Sequence, residues 1–250
     1  MAISKIYGLH SVKAALDYAP LKIKKVWCDG QRQDQRSKPL IEALLALGLE
    51  PEKVDRKRLD RLVDSNNHQG WVIEIEMPAP LSESDLKMAV ERLTENAFLL
   101  ILDQVQDPHN LGACLRTADA VGVQGVIITK DNSAGITPTV CKVACGAAES
   151  VPVYQVTNLS RTLRWLKEQG VWLFGAASDG SQMAYQVDLT VPLAFVVGAE
   201  GKGLRHLTRE QCDVLINLPM SGQVASLNLS VAAGVLLYEG VRQRLFSLNG

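Results

Sequence analysis

Three stretches of this 250-residue chain combine glycine, short polar side chains and single charged groups at spacings that could bind a ligand and act on it. In the first, Asp103–Asp119, Asn110 is placed to cap a helix and Gly112 allows another backbone to come close. Arg116 lies within the apolar run Ala113-Cys-Leu-Arg-Thr-Ala118, where a guanidinium needs an acceptor. Two readings stand for it: a salt bridge to Asp103, Asp107 or Asp119, or a contact with phosphate or substrate. The second stretch is Val196-Val-Gly-Ala-Glu-Gly-Lys-Gly-Leu204. Its glycines run G-x-x-G-x-G, which is not the dinucleotide order, and Val196 and Gly203 break a Walker loop. What remains is a backbone-rich turn carrying Glu200 that can wrap a ligand edge. The third stretch reads as an apolar strand ending at Pro219, a polar turn Met220–Gln223 and a long helix Ser226–Arg244. Its first turn offers Ser226, Asn228 and Ser230 beside free N–H groups, an arrangement that serves simple capping or the holding of an anion or polar ligand.

The elements around these stretches predict an α/β fold. From Ala97 onward, apolar runs at Phe98–Leu102, Gly125–Thr129, Val151–Val156, Val171–Ala176, Leu193–Val197 and Val214–Leu218 alternate with helical stretches at Leu111–Val121, Thr137–Ala144, Leu159–Gln169 and Ser226–Arg244. Continuous apolar strands separated by helices call for a parallel sheet covered on both faces, whose ligands sit beyond the carboxyl ends of the strands. The three chemistry-bearing stretches all begin at such strand ends.

The first 76 residues read as a separate small α/β unit, with helices at Ser11–Leu16, Pro39–Leu47 and Arg56–Asp64 and strands at Ile23–Cys28 and Trp71–Ile75. It holds 13 Lys/Arg against 11 Asp/Glu, gathered in two clusters: Lys22, Lys24, Lys25, Arg32, Arg36 and Lys38, then Arg56, Lys57, Arg58 and Arg61. Such clusters serve as a solvated face or as a binding surface. His68, in a turn before the last strand, reads as structural. Met77-Pro-Ala-Pro80 and the capping residues after it mark a junction, so the expected division is 1–76, a linker 77–96 and a second domain 97–250.

Whole-chain charge is −1, so composition alone does not announce a nucleic acid, and any such partner requires a local patch. Cys28, Cys114, Cys141, Cys145 and Cys212 show no CxxC pair and no histidines at zinc spacing, which favours buried free thiols over disulfides or metal. The amino-terminal residues lack an apolar signal core and no stretch is long enough to span a membrane, so the expected location is the cytoplasm.

The three segments together resemble the motifs of the SpoU-type RNA ribose 2′-O-methyltransferases of the SPOUT superfamily: Asn110-x-Gly112-x-x-x-Arg116-x-Ala118, then Gly198-Ala-Glu-Gly-x-Gly203-Leu, then Pro219-Met-x-Gly222-x-x-x-Ser226-Leu-Asn228-x-Ser230-x-Ala232. The stretches Tyr7-Gly-Leu-His-Ser-Val-Lys-Ala-Ala-Leu and Asn67-His-Gln-Gly resemble the RNA-binding extension of the branch that methylates a guanosine ribose in the peptidyl-tRNA-binding loop of 23S rRNA. That extension is similar to the small α/β fold of certain RNA-binding ribosomal proteins, which turns the basic clusters into expected RNA contacts.

The resemblance implies a SPOUT domain with a deep trefoil knot, a homodimer joined largely through the C-terminal helix, and S-adenosylmethionine held by backbone groups around Gly198, Leu218 and Leu227. It implies as substrate 23S rRNA or a ribosome-assembly intermediate, and as catalytic residues Asn110, Arg116, Glu200, Ser226 and Asn228. A guanidinium hardly deprotonates in proteins. Arg116 is therefore expected to bind the target phosphate and stabilise oxyanion charge, with the proton passing to a phosphate oxygen, water or Glu200. Asn110, Ser226 and Asn228 are expected to orient the ribose and Arg116. Lys202 falls at a variable place in its motif and is a poor catalytic candidate. Two rivals stand beside this reading, a tRNA methyltransferase of the same group and a non-catalytic RNA-binding or ribosome-assembly protein.

Overall fold

The computed structural model describes residues 2–30 and 37–247. The chain divides into two compact units, Met1–Ala79 with Ile136–Lys142, and Pro80–Gly135 with Val143–Gly250.

In the first unit, strands β1 (Ala2–Tyr7), β2 (Ile23–Asp29), β3 (Glu52–Val54) and β4 (Trp71–Met77) form one sheet in the order β1-β4-β2-β3. β4 pairs antiparallel with both β1 and β2, and β3 lies parallel to β2. The helices are α1 (Leu9–Tyr18), α2 (Lys38–Ala46) and α3 (Arg56–Val63). Strands β1 and β3 escaped the sequence reading. Both are edge strands, and β1 finds its partner at residues 71–77, so no local signal marks it. Helix α3 starts at Asp55, whose side chain accepts from the Arg58 amide at 2.7 Å, and it buries Leu59 while Arg56, Lys57, Arg58 and Arg61 face solvent. Lys24, Lys25 and Lys38 are exposed as well, whereas Arg32 and Arg36 lie outside the described residues.

His68 is structural, as expected. Its ring is buried; Nδ1 accepts from the Gly70 amide at 3.0 Å and Nε2 contacts Asp60 Oδ1 at 3.0 Å. An amide donor on Nδ1 leaves the proton of the neutral ring on Nε2, pointed at the carboxylate. The next residue, Gln69, accepts from the Leu9 amide and so ties this turn to the start of α1.

The second unit is built on a seven-stranded sheet: β5 (Phe98–Asp103), β6 (Gly125–Thr129), β7 (Val153–Val156), β8 (Trp172–Ala176), β9 (Gln182–Met183), β10 (Leu193–Gly198) and β11 (Val214–Asn217). The order is β7-β6-β5-β10-β8-β11-β9 and every pairing is parallel. β5, β6 and β10 are buried along their whole length, which is why they read as unbroken apolar runs. Its helices are α4 (Glu83–Glu91), α5 (Pro108–Ala120), α7 (Ala147–Ser150), α8 (Leu159–Glu168), α9 (His206–Gln211) and α10 (Leu229–Ser247), while α6 (Pro138–Ala144) falls mostly in the segment Ile136–Lys142 of the first unit. A capping box between Ser82 and Asp85 starts α4, and its Leu86 belongs to the core formed by Leu99, Ile101, Ile127 and Val196. Among the described residues, no helix is long and apolar enough to cross a membrane.

Two helix starts differ from the sequence reading. Asp107, not Asn110, caps α5: its side chain accepts from the His109 amide at 2.9 Å, and Pro108 at the first helical position is pre-set for a helix start. Asn110 is thereby carried into the first turn and buried. Helix α10 begins at Leu229, three residues later than expected. Asn228 Oδ1 accepts from the Ser230 amide at 2.9 Å and the Ser230 hydroxyl at 2.7 Å, so Asn228 takes the capping role and Ser226 stays in the loop before it.

Candidate active site

The loops that follow β8, β10 and β11 enclose a cavity of about 300 Å³ on the second unit. β10 passes directly into the turn Gly198–Leu204, all seven residues of which line the cavity. The turn is tight. Gly203 donates its amide to Ala199 O at 2.8 Å, and a Cβ on Gly198 would lie 2.1 Å from the Gly203 carbonyl carbon. Gly201 and Gly203 sit at φ +74° and +64°, conformations in which a side chain is strained. The motif's glycines are therefore used for backbone shape, and Glu200 is carried at the middle of the turn.

Opposite this turn, Leu218, Ser226 and Leu227 line the same cavity, with apolar walls from Val197, Ile216 and Leu236. Of the residues expected from sequence, Gly198, Glu200, Leu218, Ser226 and Leu227 thus share one cavity.

Asn110 and Asn228 join it by hydrogen bonds. Asn228 Nδ2 donates to Asn110 Oδ1 at 3.0 Å, and Asn110 Nδ2 donates to Glu200 Oε2 at 3.3 Å. Buried Asn110 therefore bridges the turn after β10 and the start of α10, and each of the three sequence motifs supplies one member of this chain.

Arg116 stands apart from that chain. It lies on the exposed side of α5, and its Nη1 donates to the sulfur of Cys145 at 3.4 Å. Its side chain forms no salt bridge to a carboxylate among the described residues: Asp103 is paired with Arg205, Asp107 caps α5, and Asp119 accepts from the Ser150 hydroxyl. Of the two readings for Arg116, the salt bridge is the one the geometry rejects. An exposed guanidinium not neutralised by a carboxylate is suited to an anion brought from outside.

The loop after β8 was not singled out from sequence, although it contributes Ala177, Ser178 and Asp179 to the cavity. Arg209, which also lines it, donates to Asp179 at 3.0 and 2.9 Å, and these hydrogen bonds hold the Asp179 carboxyl below its usual range. The available signal was Ser178-Asp-Gly-Ser at the end of a buried strand. Gly180 has no room for a Cβ against the backbone of Leu215 and Ile216, so this loop is pressed onto β11.

The thiols fit no metal site, and among the described residues no group of His, Cys, Asp and Glu could hold a metal ion. None of the five cysteines is in a disulfide. Burial pushes the thiols of Cys114 and Cys212 up to about 12.

Known proteins share both the chain and its fold. Residues 97–238 match the model of the SpoU rRNA Methylase family, and residues 5–81 match that for RNA 2′-O ribose methyltransferase substrate binding. The chain is 53% identical over 239 residues to the 23S rRNA (guanosine-2′-O-)-methyltransferase RlmB of Shewanella oneidensis, covering 96% of this chain and 97% of that protein. It is 50% identical over 242 residues to RlmB of Vibrio vulnificus, covering 97% and 98%. Among solved structures it is similar to the SpoU methyltransferase AviRb of Streptomyces viridochromogenes in complex with the cofactor AdoMet, with a TM-score of 0.64 and 26% identity over 97% of this chain and 91% of that one. Two family models in chain order, and relatives that share half their residues with it from end to end, show that the chain belongs to the SpoU rRNA methylase family.

Proposed function

We propose that the protein transfers a methyl group from S-adenosylmethionine to the ribose 2′-hydroxyl of a guanosine in 23S rRNA, in the peptidyl-tRNA-binding loop. The observation that carries this reading is the meeting of three distant motifs at one cavity, joined through Asn110, in a chain half identical to RlmB proteins.

The cavity fits the proposed donor. Leu218, Leu227 and Ile216 offer apolar surface to an adenosyl group, and the turn Gly198–Leu204 offers backbone N–H and C=O groups. Glu200 supplies negative charge near a cationic ligand. When bound, the donor provides an activated methyl on a sulfonium with a good leaving group, so the protein's task is mainly alignment.

Each residue then has a separate task. Arg116 binds the phosphate of the target nucleotide and stabilises negative charge developing on the 2′-oxygen. Asn110 holds the Glu200 carboxylate through Oε2, leaving Oε1 to take the hydroxyl proton. Ser226, in the loop that lines the cavity, and Asn228, which caps α10, orient the ribose.

In the first unit, the exposed cations of α3 are proposed to grip RNA phosphates, within an RNA-binding domain spanning 1–76. A homodimer through α10 is supported by Val231, Tyr238, Leu245 and Phe246, which are 50%, 56%, 58% and 68% exposed on one helix. The knot of the SPOUT domain, a cytoplasmic location, and a ribosome-assembly intermediate as an alternative to free 23S rRNA belong to the same reading.

The test is ribose-methylation mapping of 23S rRNA incubated with purified protein and labelled S-adenosylmethionine. The expected result is one labelled guanosine. Label in tRNA alone, or in no RNA, would overturn the proposal.

A further inference from the structure

Asp103 has no part in the proposed chemistry, yet its side chain is 0% exposed. It is the last residue of β5 and lies in register with Gly198, the residue that opens the cavity-lining turn. Arg205, the first residue after that turn, returns to it. Its Nε and Nη2 reach Asp103 Oδ1 at 2.7 and 2.6 Å, and its backbone amide donates to Oδ2 at 3.3 Å.

The turn is thus fastened at both ends to one residue: its entrance by the β5–β10 ladder, its exit by an ion pair. Between them the turn is bridged from Ala199 to Gly203 and Glu200 accepts from Asn110. Gly201 and Gly203 give this stretch more conformational freedom than other residues would, so its shape must be imposed from outside. A buried carboxylate enforces that shape strongly, because leaving it without its cation is costly.

We infer that Asp103 and Arg205 are positioning residues which hold the turn Gly198–Leu204, and with it Glu200, in the shape that receives the methyl donor. They act through the turn and need not touch substrate. The inference rests on the proposed reading of the cavity as the donor site.

Four variants test it: Arg205→Met, Asp103→Asn, the double variant Asp103→Asn/Arg205→Met, and Arg205→Lys. The double variant removes the uncompensated charge, so its thermal midpoint is expected within a few degrees of the parent. Its affinity for S-adenosylmethionine, measured by calorimetry, is expected to fall at least tenfold. KM for the donor should rise by a similar factor, and kcat should fall as well, because Glu200 moves with the turn. Arg205→Lys should restore most of the affinity. In the protein without ligand, amides 199–204 should exchange with deuterium at least tenfold faster in the double variant. A folded double variant with parental affinity and parental exchange at 199–204 would overturn the inference. If the parent itself fails to bind S-adenosylmethionine, the donor reading falls, and amide exchange at 199–204 still decides whether the pair holds the turn.

Discussion

Asn228 Nδ2 donates to Asn110 Oδ1 at 3.0 Å, joining the cap of α10 to the first turn of α5 across 118 positions of sequence. Because Asn110 Nδ2 also donates to Glu200, its amide cannot flip without losing both partners.

Replacing Asn110 by Asp removes the donor and sets a carboxylate against Glu200. Like charges at such a distance raise the pKa of one of the pair, and protonation at lower pH restores a donor. Asn110→Asp is expected to lower methyl transfer about 100-fold at pH 8, with the ratio of variant to parent rising as the pH falls to 6. A ratio independent of pH would reject the bond to Glu200.

Arg116 is exposed and does not line the cavity. Arg116→Ala should therefore leave donor affinity within about threefold and stability within ~0.5 kcal/mol, as for ordinary surface positions. Methyl transfer should still fall by about 10²-fold or more, the scale for losing one group that stabilises developing charge. Single-turnover rates measured beside donor titrations separate the two effects.

Gly198 has no space for even a methyl group, since a Cβ there would meet the backbone of Gly203 and Leu204. Gly198→Ala should open the turn and weaken donor binding more than tenfold. Calorimetric titration of the folded variant, with circular dichroism as a control for the sheet, checks this.

Thiols raised to about 12 at Cys114 and Cys212 remain protonated at pH 8, while Cys145 is exposed. Alkylation of the native protein at pH 8, read by mass spectrometry, should label Cys145 first, and Cys114 and Cys212 only on unfolding. The same shifts set the sign of a stability effect. The folded state holds these protons more tightly than the unfolded chain, whose thiols ionise near 9.0, so their contribution is complete below that pH and is lost as pH rises from about 9 toward 12. Urea midpoints across that range should fall.

How much of this was legible in sequence depended on whether the cause was local. Buried parallel strands such as β5 and β10 announce themselves because both faces need apolar residues. β1 and β3 do not, because an edge strand is defined by a partner far along the chain. The start of α10 is ambiguous in sequence because Ser226 and Asn228 are both good caps, and the contacts of Asn228 with Ser230 and with distant Asn110 decide for the second. The grouping of site residues followed from motif resemblance, whereas the pairing of Asp103 with Arg205 instead of Arg116 is a fact of the sheet register, which no spacing rule contains.

The bonds that shape the cavity join residues 90, 102 and 118 positions apart. Contacts of such long range come together late, after most of the chain entropy has been spent. A small molecule seated in the cavity is therefore expected to meet its site only in the nearly finished molecule, slowing unfolding and leaving the refolding rate unchanged in stopped-flow traces taken with and without it.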